Sequence, residues 1–132
     1  MRILLIETDR FLARNLQRAL KRAGHDTDWL IDLQTAINAA DASKPDVVIL
    51  DLLLAGRSGI EFLYEFRSYP EWNEIPVIVY SNIPDSELRQ GQEAFAQLGI
   101  SHFLYKPAAK LDELVNLVER LAFHPLPAVI PK

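Results

Sequence analysis

Six residues of this 132-residue chain have side chains suited to handling a phosphoryl group: Glu7, Thr8, Asp9, Asp51, Ser81 and Lys106. Each stands at or just past the end of a short apolar run: Ile3 to Ile6, Val47 to Leu50, Val77 to Tyr80, or His102 to Tyr105. Open parallel sheets bind ligands outside the carboxyl ends of their strands, where the strand order reverses. Carboxylates, a hydroxyl and an ammonium therefore collect on one rim. Phosphoryl transfer asks a protein mainly to position groups and to neutralise charge on the transferred oxygens. Asp51 is placed to act as nucleophile, giving an acyl phosphate. Glu7 and an Asp51 oxygen suit Mg2+, a hard cation that takes oxygen ligands, keeps several waters and bridges to phosphate. Lys106 would pair with the phosphoryl oxygens as a compact point charge, and Ser81 would hydrogen-bond one oxygen and follow it.

The elements that must position these groups are legible in the alternation of apolar runs with segments of helical period. With a further run at Thr27 to Ile31, the pattern predicts an α/β domain of order (βα)5, a parallel sheet with helices on both faces. Val47-Val48-Ile49-Leu50 has no polar position and reads as a buried central strand, whereas Asp28 and Asp32 put the second strand nearer an edge. Leu12, Leu16, Ala19, Leu20 and Ala23 mark the first helix, and Leu111, Leu114, Val115, Val118 and Leu121 the last. Leu33, Ala36, Ile37 and Ala40 form a shorter second helix; Ile60, Leu63 and Phe66 form a third, with Gly59 in the loop before it. Asp9 is placed to cap the first helix and Gly24 to end it; Gly99 ends a fourth, and Pro76 precludes helix before the fourth strand.

Length and composition fit one domain with one core. A net charge of −4 argues against a nucleic-acid surface, which needs clustered cations. With no cysteine, and with His25, His102 and His124 scattered, neither disulfides nor structural zinc are expected. The apolar start is too short for a signal peptide or a membrane span, so a cytoplasmic protein is expected. Residues 1–122 read as the domain. Residues 123–132, with Pro125, Pro127 and Pro131, read as an extended tail or linker, so the chain is either a stand-alone domain or one cut from a longer protein.

Four segments in order carry a resemblance: Ile3-Leu4-Leu5-Ile6-Glu7; Pro45-Asp46-Val47-Val48-Ile49-Leu50-Asp51-Leu52 with Gly59 downstream; Pro76-Val77-Ile78-Val79-Tyr80-Ser81; and Tyr105-Lys106-Pro107. On these the chain resembles the receiver domain of bacterial two-component response regulators, over residues 1 to about 122. The resemblance implies a flavodoxin-like sheet of order 2-1-3-4-5. It implies Asp51 as phosphoacceptor, Ser81 as switch hydroxyl, Lys106 as the family lysine and Phe103 as the aromatic that reorients with Ser81. The Leu53 backbone carbonyl joins Glu7 and Asp51 around Mg2+, and the Lys106–Pro107 peptide is cis. The donor is a histidine kinase or phosphotransfer protein, and the reader a downstream protein or output domain. The signal passes through the surface of the fourth helix, fifth strand and fifth helix, which also allows a homodimer. Such a domain catalyses its own phosphorylation and is not otherwise an enzyme.

The pattern breaks at Thr8, where the family carries a second acid that ligates Mg2+. A carboxylate beside a divalent cation gains roughly 8 kcal/mol of gross Coulomb attraction at ~4 Å and an effective dielectric of ~20, most of it offset by desolvation. Thr8 offers only a neutral oxygen, so Mg2+ binding is expected to be weakened. Ala55 and Ser58 replace a common proline and aspartate, and the Leu53 side chain stands where it limits access to the phosphoryl group. Two other functions compete. A pseudo-receiver would dock a partner without phosphorylation; a nucleotide or flavin binder would need a glycine-rich loop that Glu7-Thr8-Asp9-Arg10-Phe11 lacks.

Overall fold

The computed structural model describes residues 1–54, 57–84 and 98–123. Strands β1 (Arg2–Ile6), β2 (Asp26–Leu30), β3 (Val47–Leu50), β6 (Val77–Ser81) and β7 (Ile100–Tyr105) form one parallel sheet in the order β2-β1-β3-β6-β7. This is the expected doubly wound order, with β3 interior and β2 at an edge. A hairpin of two-residue strands, β4 (Leu53–Leu54) and β5 (Arg57–Ser58), follows β3; strands this short lie below any periodic signal. Four helices are described: α1 (Arg10–Arg22), α2 (Leu33–Ala42), α3 (Gly59–Arg67) and α4 (Leu111–Phe123), with a 3-10 turn at Pro70–Trp72. The fourth helix expected from sequence, the proline tail and Ala55 lie outside the described residues.

Period-two alternation sorts each strand between two cores. Leu4, Ile6, Val48, Leu50, Val77 and Val79 pack under α2 and α3. Ile3, Leu5, Val47, Ile49, Ile78 and Tyr80 pack under α1 and α4. Val47 through Leu50 are at most 1 % exposed, which explains why that strand carries no polar residue.

Local chemistry sets the helix ends. Asp9 Oδ1 accepts from Leu12 N at 3.0 Å, and Asp32 Oδ1 does the same for Thr35 N at 2.9 Å, so Asp32 is the α2 cap as well as an edge marker. Helix α1 closes with Gly24 at φ +93°, its N–H on Lys21 O at 2.9 Å and His25 N–H on Leu20 O at 3.0 Å, a Schellman ending. The outer face of α1 carries Arg10, Arg14, Arg18, Lys21 and Arg22, all exposed, and the helix holds no acid. At the opposite edge of the sheet from the rim, Arg67 donates to four carbonyls, those of Leu98, Trp72, Ile75 and Gly99, at 2.6–3.1 Å. Burial lowers the Arg67 pKa, and this cation is answered by backbone dipoles.

Gly59 opens α3 against Asp51, the residue that follows β3. A Cβ there would lie 2.6 Å from the Asp51 carbonyl oxygen and 2.9 Å from Leu52 Cα, both backbone atoms that cannot swing away. Around Gly24 a Cβ would meet nothing within 4 Å, and the cost is only that of a left-handed residue. Gly59→Ala is therefore expected to lose about 3 kcal/mol and Gly24→Ala about 1 kcal/mol, read as urea midpoints; equal losses would refute the packing account.

Candidate functional site

Parity along the strands decides which side chains meet at the carboxyl edge. Glu7 continues the Ile3, Leu5 face, Asp51 the Val47, Ile49 face, and Lys106 the Leu104 face, all on the side covered by α1 and α4. The Lys106 ammonium lies 2.8 Å from Glu7 Oε1 and 2.9 Å from Asp51 Oδ2. Glu7 is 1 % exposed and Asp51 4 %, so both carboxylates are nearly sealed from water. The second oxygen of each meets a backbone N–H: Glu7 Oε2 accepts from Asp9 N at 3.0 Å, and Asp51 Oδ1 from Leu53 N at 3.0 Å. The Trp29 indole reaches across from β2 and donates to the Glu7 carbonyl at 2.7 Å. Burial raises the Glu7 pKa, against the lowering by Lys106 and the Asp9 N–H. Burial pulls the Lys106 pKa down, but its bonds to the two acids outweigh this and leave it raised.

These groups form the floor of an open cleft of about 500 Å³. Thr8 lies on its wall beside Glu7, as does Asp9, whose side chain is already engaged as the α1 cap. Phe11, 78 % exposed, and Leu53, 53 % exposed, stand as apolar posts around the acids.

Ser81 and Phe103 lie elsewhere. Ser81 has the parity of Val77 and Val79, faces the α2 and α3 side, and is 1 % exposed. Its Oγ accepts from Ile83 N at 3.2 Å, and its carbonyl accepts from Lys106 N at 2.8 Å. Phe103 is half-buried against the same core, the face that strand parity gives Ser81. Tyr80 and Asn82, its chain neighbours, line the cleft instead. The signal for Tyr80 was available in sequence, since it sits two residues after Ile78 on the α1 side; Asn15, Asn82 and Phe11 carried none beyond proximity to the motifs.

The Lys106–Pro107 peptide departs from expectation: no peptide bond among the described residues is cis. Trans is the lower state of an X–Pro bond by about 0.5–1 kcal/mol. The turn after β7 is closed without the cis isomer, by Ala108 N–H at 3.0 Å and Ala109 N–H at 2.9 Å from the Tyr105 carbonyl.

The donor set suits a hard cation. Glu7 and Asp51 bring carboxylate oxygens to one cleft floor, where Lys106 now holds one oxygen of each and the Leu53 N–H the second oxygen of Asp51. No cluster of three His, Asp or Glu is found among the described residues, so a metal here would complete its shell with water, as Mg2+ does. No described helix is long and apolar enough to cross a membrane.

Comparison with known proteins gives the family and the fold. A family model described as the response regulator receiver domain matches residues 3–119. The chain is 32 % identical over 130 residues to the transcriptional regulatory protein QseB of Haemophilus influenzae, an alignment covering 94 % of this chain and 56 % of that protein. It spans about half the length of such curated relatives, or less. A two-component response regulator from Clostridium difficile superposes with TM-score 0.81 at 21 % identity, covering 94 % of this chain and 97 % of that one, a likeness of fold. The phosphorylated cyanobacterial phytochrome response regulator RcpA gives 0.74 at 27 % identity, covering 96 % of both chains.

Removing the ammonium would leave two buried acids facing each other. Lys106→Met is expected to cost about 3 kcal/mol at pH 8. Because the Glu7 pKa is raised from 4.5 in the fold, its contribution is fully present below about 4.5 and is lost as pH rises through the folded value. The variant should accordingly recover stability at pH 5. Urea unfolding at both pH values checks this, and an equal loss at each would remove Lys106 as the counter-charge.

Proposed function

The chain belongs to the response regulator receiver domain family, and on that premise we propose that Asp51 accepts a phosphoryl group from a histidine kinase or phosphotransfer protein. The observation that carries this reading is the Lys106 ammonium held between the buried Asp51 and Glu7 carboxylates. An Asp51 oxygen forms a bond to phosphorus as the bond from phosphorus to the donor breaks. The donor nitrogen leaves with the electron pair and is protonated from solvent. Lys106 offers positive charge to the incoming oxygens, and the Leu53 N–H holds the other Asp51 oxygen in place. Glu7, Asp51 and the Leu53 carbonyl would hold Mg2+, which when bound neutralises charge on the phosphoryl group. Ser81 and Phe103, on the opposite face of the sheet, would relay the change toward the surface of the fourth helix expected from sequence, β7 and α4, which a downstream protein, an output domain or a second copy would read. As a receiver the chain is a signalling domain rather than a classical enzyme, and a cytoplasmic location goes with such a donor.

Incubation with acetyl phosphate and Mg2+ followed by intact-mass spectrometry tests the reading. The wild-type chain should gain one phosphoryl group and Asp51→Asn none; an unmodified wild type, or equal yield on the variant, would sink it.

A second reading, a pseudo-receiver that docks its partner without phosphorylation, is favoured by Thr8. That residue gives the cleft a neutral oxygen, and Asp9 is occupied in capping α1. Thr8→Asp should tighten Mg2+ binding, measured by quenching of tryptophan fluorescence or calorimetry, and raise the yield of phosphoprotein. If neither rises, the missing acid is not what limits the site.

A further inference from the structure

Lys106 and Asp51 stand on strands that are not neighbours. Strand β6 lies between β3 and β7, so the two backbones stand two strand spacings apart, roughly 10 Å, and the lysine stem must reach across β6 to meet the acid. The last β6 residue on that side of the sheet is Tyr80, which is 3 % exposed and lines the cleft floor. Its ring lies under the ammonium, with Lys106 Nζ 5.7 Å from the ring centroid. A cation at that distance over an aromatic face is attracted by the ring quadrupole, more strongly where water is excluded.

We propose that Tyr80 is a positioning residue: its ring face supports the Lys106 ammonium above β6 and keeps it between Glu7 and Asp51. Lys106 then has three partners, two charged and one neutral. The charged pair changes when the site works. Once an Asp51 oxygen bonds to phosphorus, with the bond to the acetate of acetyl phosphate breaking and its electron pair leaving on acetate, that oxygen no longer carries the charge that held the ammonium. Negative charge then lies farther out, on the phosphoryl oxygens, and Glu7 alone would draw the lysine back toward β1. The ring is unaffected by that chemistry. It leaves a flexible four-carbon stem with a fixed support from which the ammonium can turn to the phosphoryl group. Burial raises the Tyr80 pKa, with Lys106 opposing and Glu7 and Glu113 adding to it, so the support is a neutral phenol.

The kinetic part of this inference rests on the acceptor reading above; the structural part does not. Tyr80→Leu removes the ring, and Tyr80→Phe keeps it while deleting the hydroxyl. The first measurement is the 15N-detected ammonium resonance of Lys106 without Mg2+ or acetyl phosphate, at a temperature where all three proteins are folded. A slow-exchanging signal is expected in wild type and Tyr80→Phe and its loss in Tyr80→Leu. The second is the rate of phosphorylation by acetyl phosphate, expected to fall about tenfold in Tyr80→Leu, a loss Tyr80→Phe restores. A Lys106 signal unchanged in Tyr80→Leu overturns the proposal. So does a loss in Tyr80→Phe equal to that in Tyr80→Leu, which would assign the effect to the hydroxyl. If the ammonium results hold while wild type takes no phosphate, the support stands and the acceptor reading falls.

Discussion

Two carboxylates almost sealed from water can share a cleft only if something positive stands between them, and here that group is the Lys106 ammonium. An unpaired buried charge costs several kcal/mol, so this contact constrains everything around it. It requires β1 and β3 to end level, Ile6 beside Leu50, and β7 to run two residues farther so that Lys106 reaches back over them. It requires the spare oxygen of each acid to find a backbone N–H, supplied by the turns at Asp9 and Leu53. It also requires the chain after Asp51 to bend away at once, which the missing side chain of Gly59 permits by letting α3 start against the Asp51 carbonyl. Helix caps, glycine and register serve one electrostatic arrangement.

Much of this was legible in the amino-acid sequence because the relevant physics is periodic. Apolar runs broken by turn residues report strands, and a run with no polar position reports burial on both faces, as at Val47 to Leu50. The acids and the lysine were legible because each stands one step past such a run. What escaped has physical causes. The role of Trp29 depends on β2 lying beside β1, a long-range pairing that carries no local mark. Arg67 draws its partners from residues 72 to 99, and a cation satisfied by carbonyls has no acidic partner to betray it. The Lys106–Pro107 isomer was expected cis by likeness and is trans, a choice that tertiary context makes. Ser81 was read at the rim and ends β6 there, but counting alternate residues from Ile78 would have added Tyr80 as the β6 side chain on the Glu7, Asp51 and Lys106 face.

Thr8 marks the division between what family membership carries and what this chain adds. Fold and strand order go with family membership. The neutral oxygen at Thr8, the exposed Phe11 and Leu53 around the acids, and the tyrosine beneath the lysine are features of this chain's own cleft, and they set its electrostatics and its access.

Helix α1 gives the domain a polarity that its overall charge conceals. Its five exposed cations and absent acids put +5 on one helix of a chain whose net charge is −4, leaving −9 on all the rest. So cationic a helix on an acidic chain distributes charge unevenly, and an uneven distribution feels torque as well as force in the field of another molecule. A charged protein diffusing nearby is turned before it touches, and an acidic one is turned to meet α1, whose first turn borders the cleft. Added salt shortens the reach of that torque to a Debye length of about 8 Å at physiological ionic strength, so the orientation of first encounters depends on ions that never enter the site.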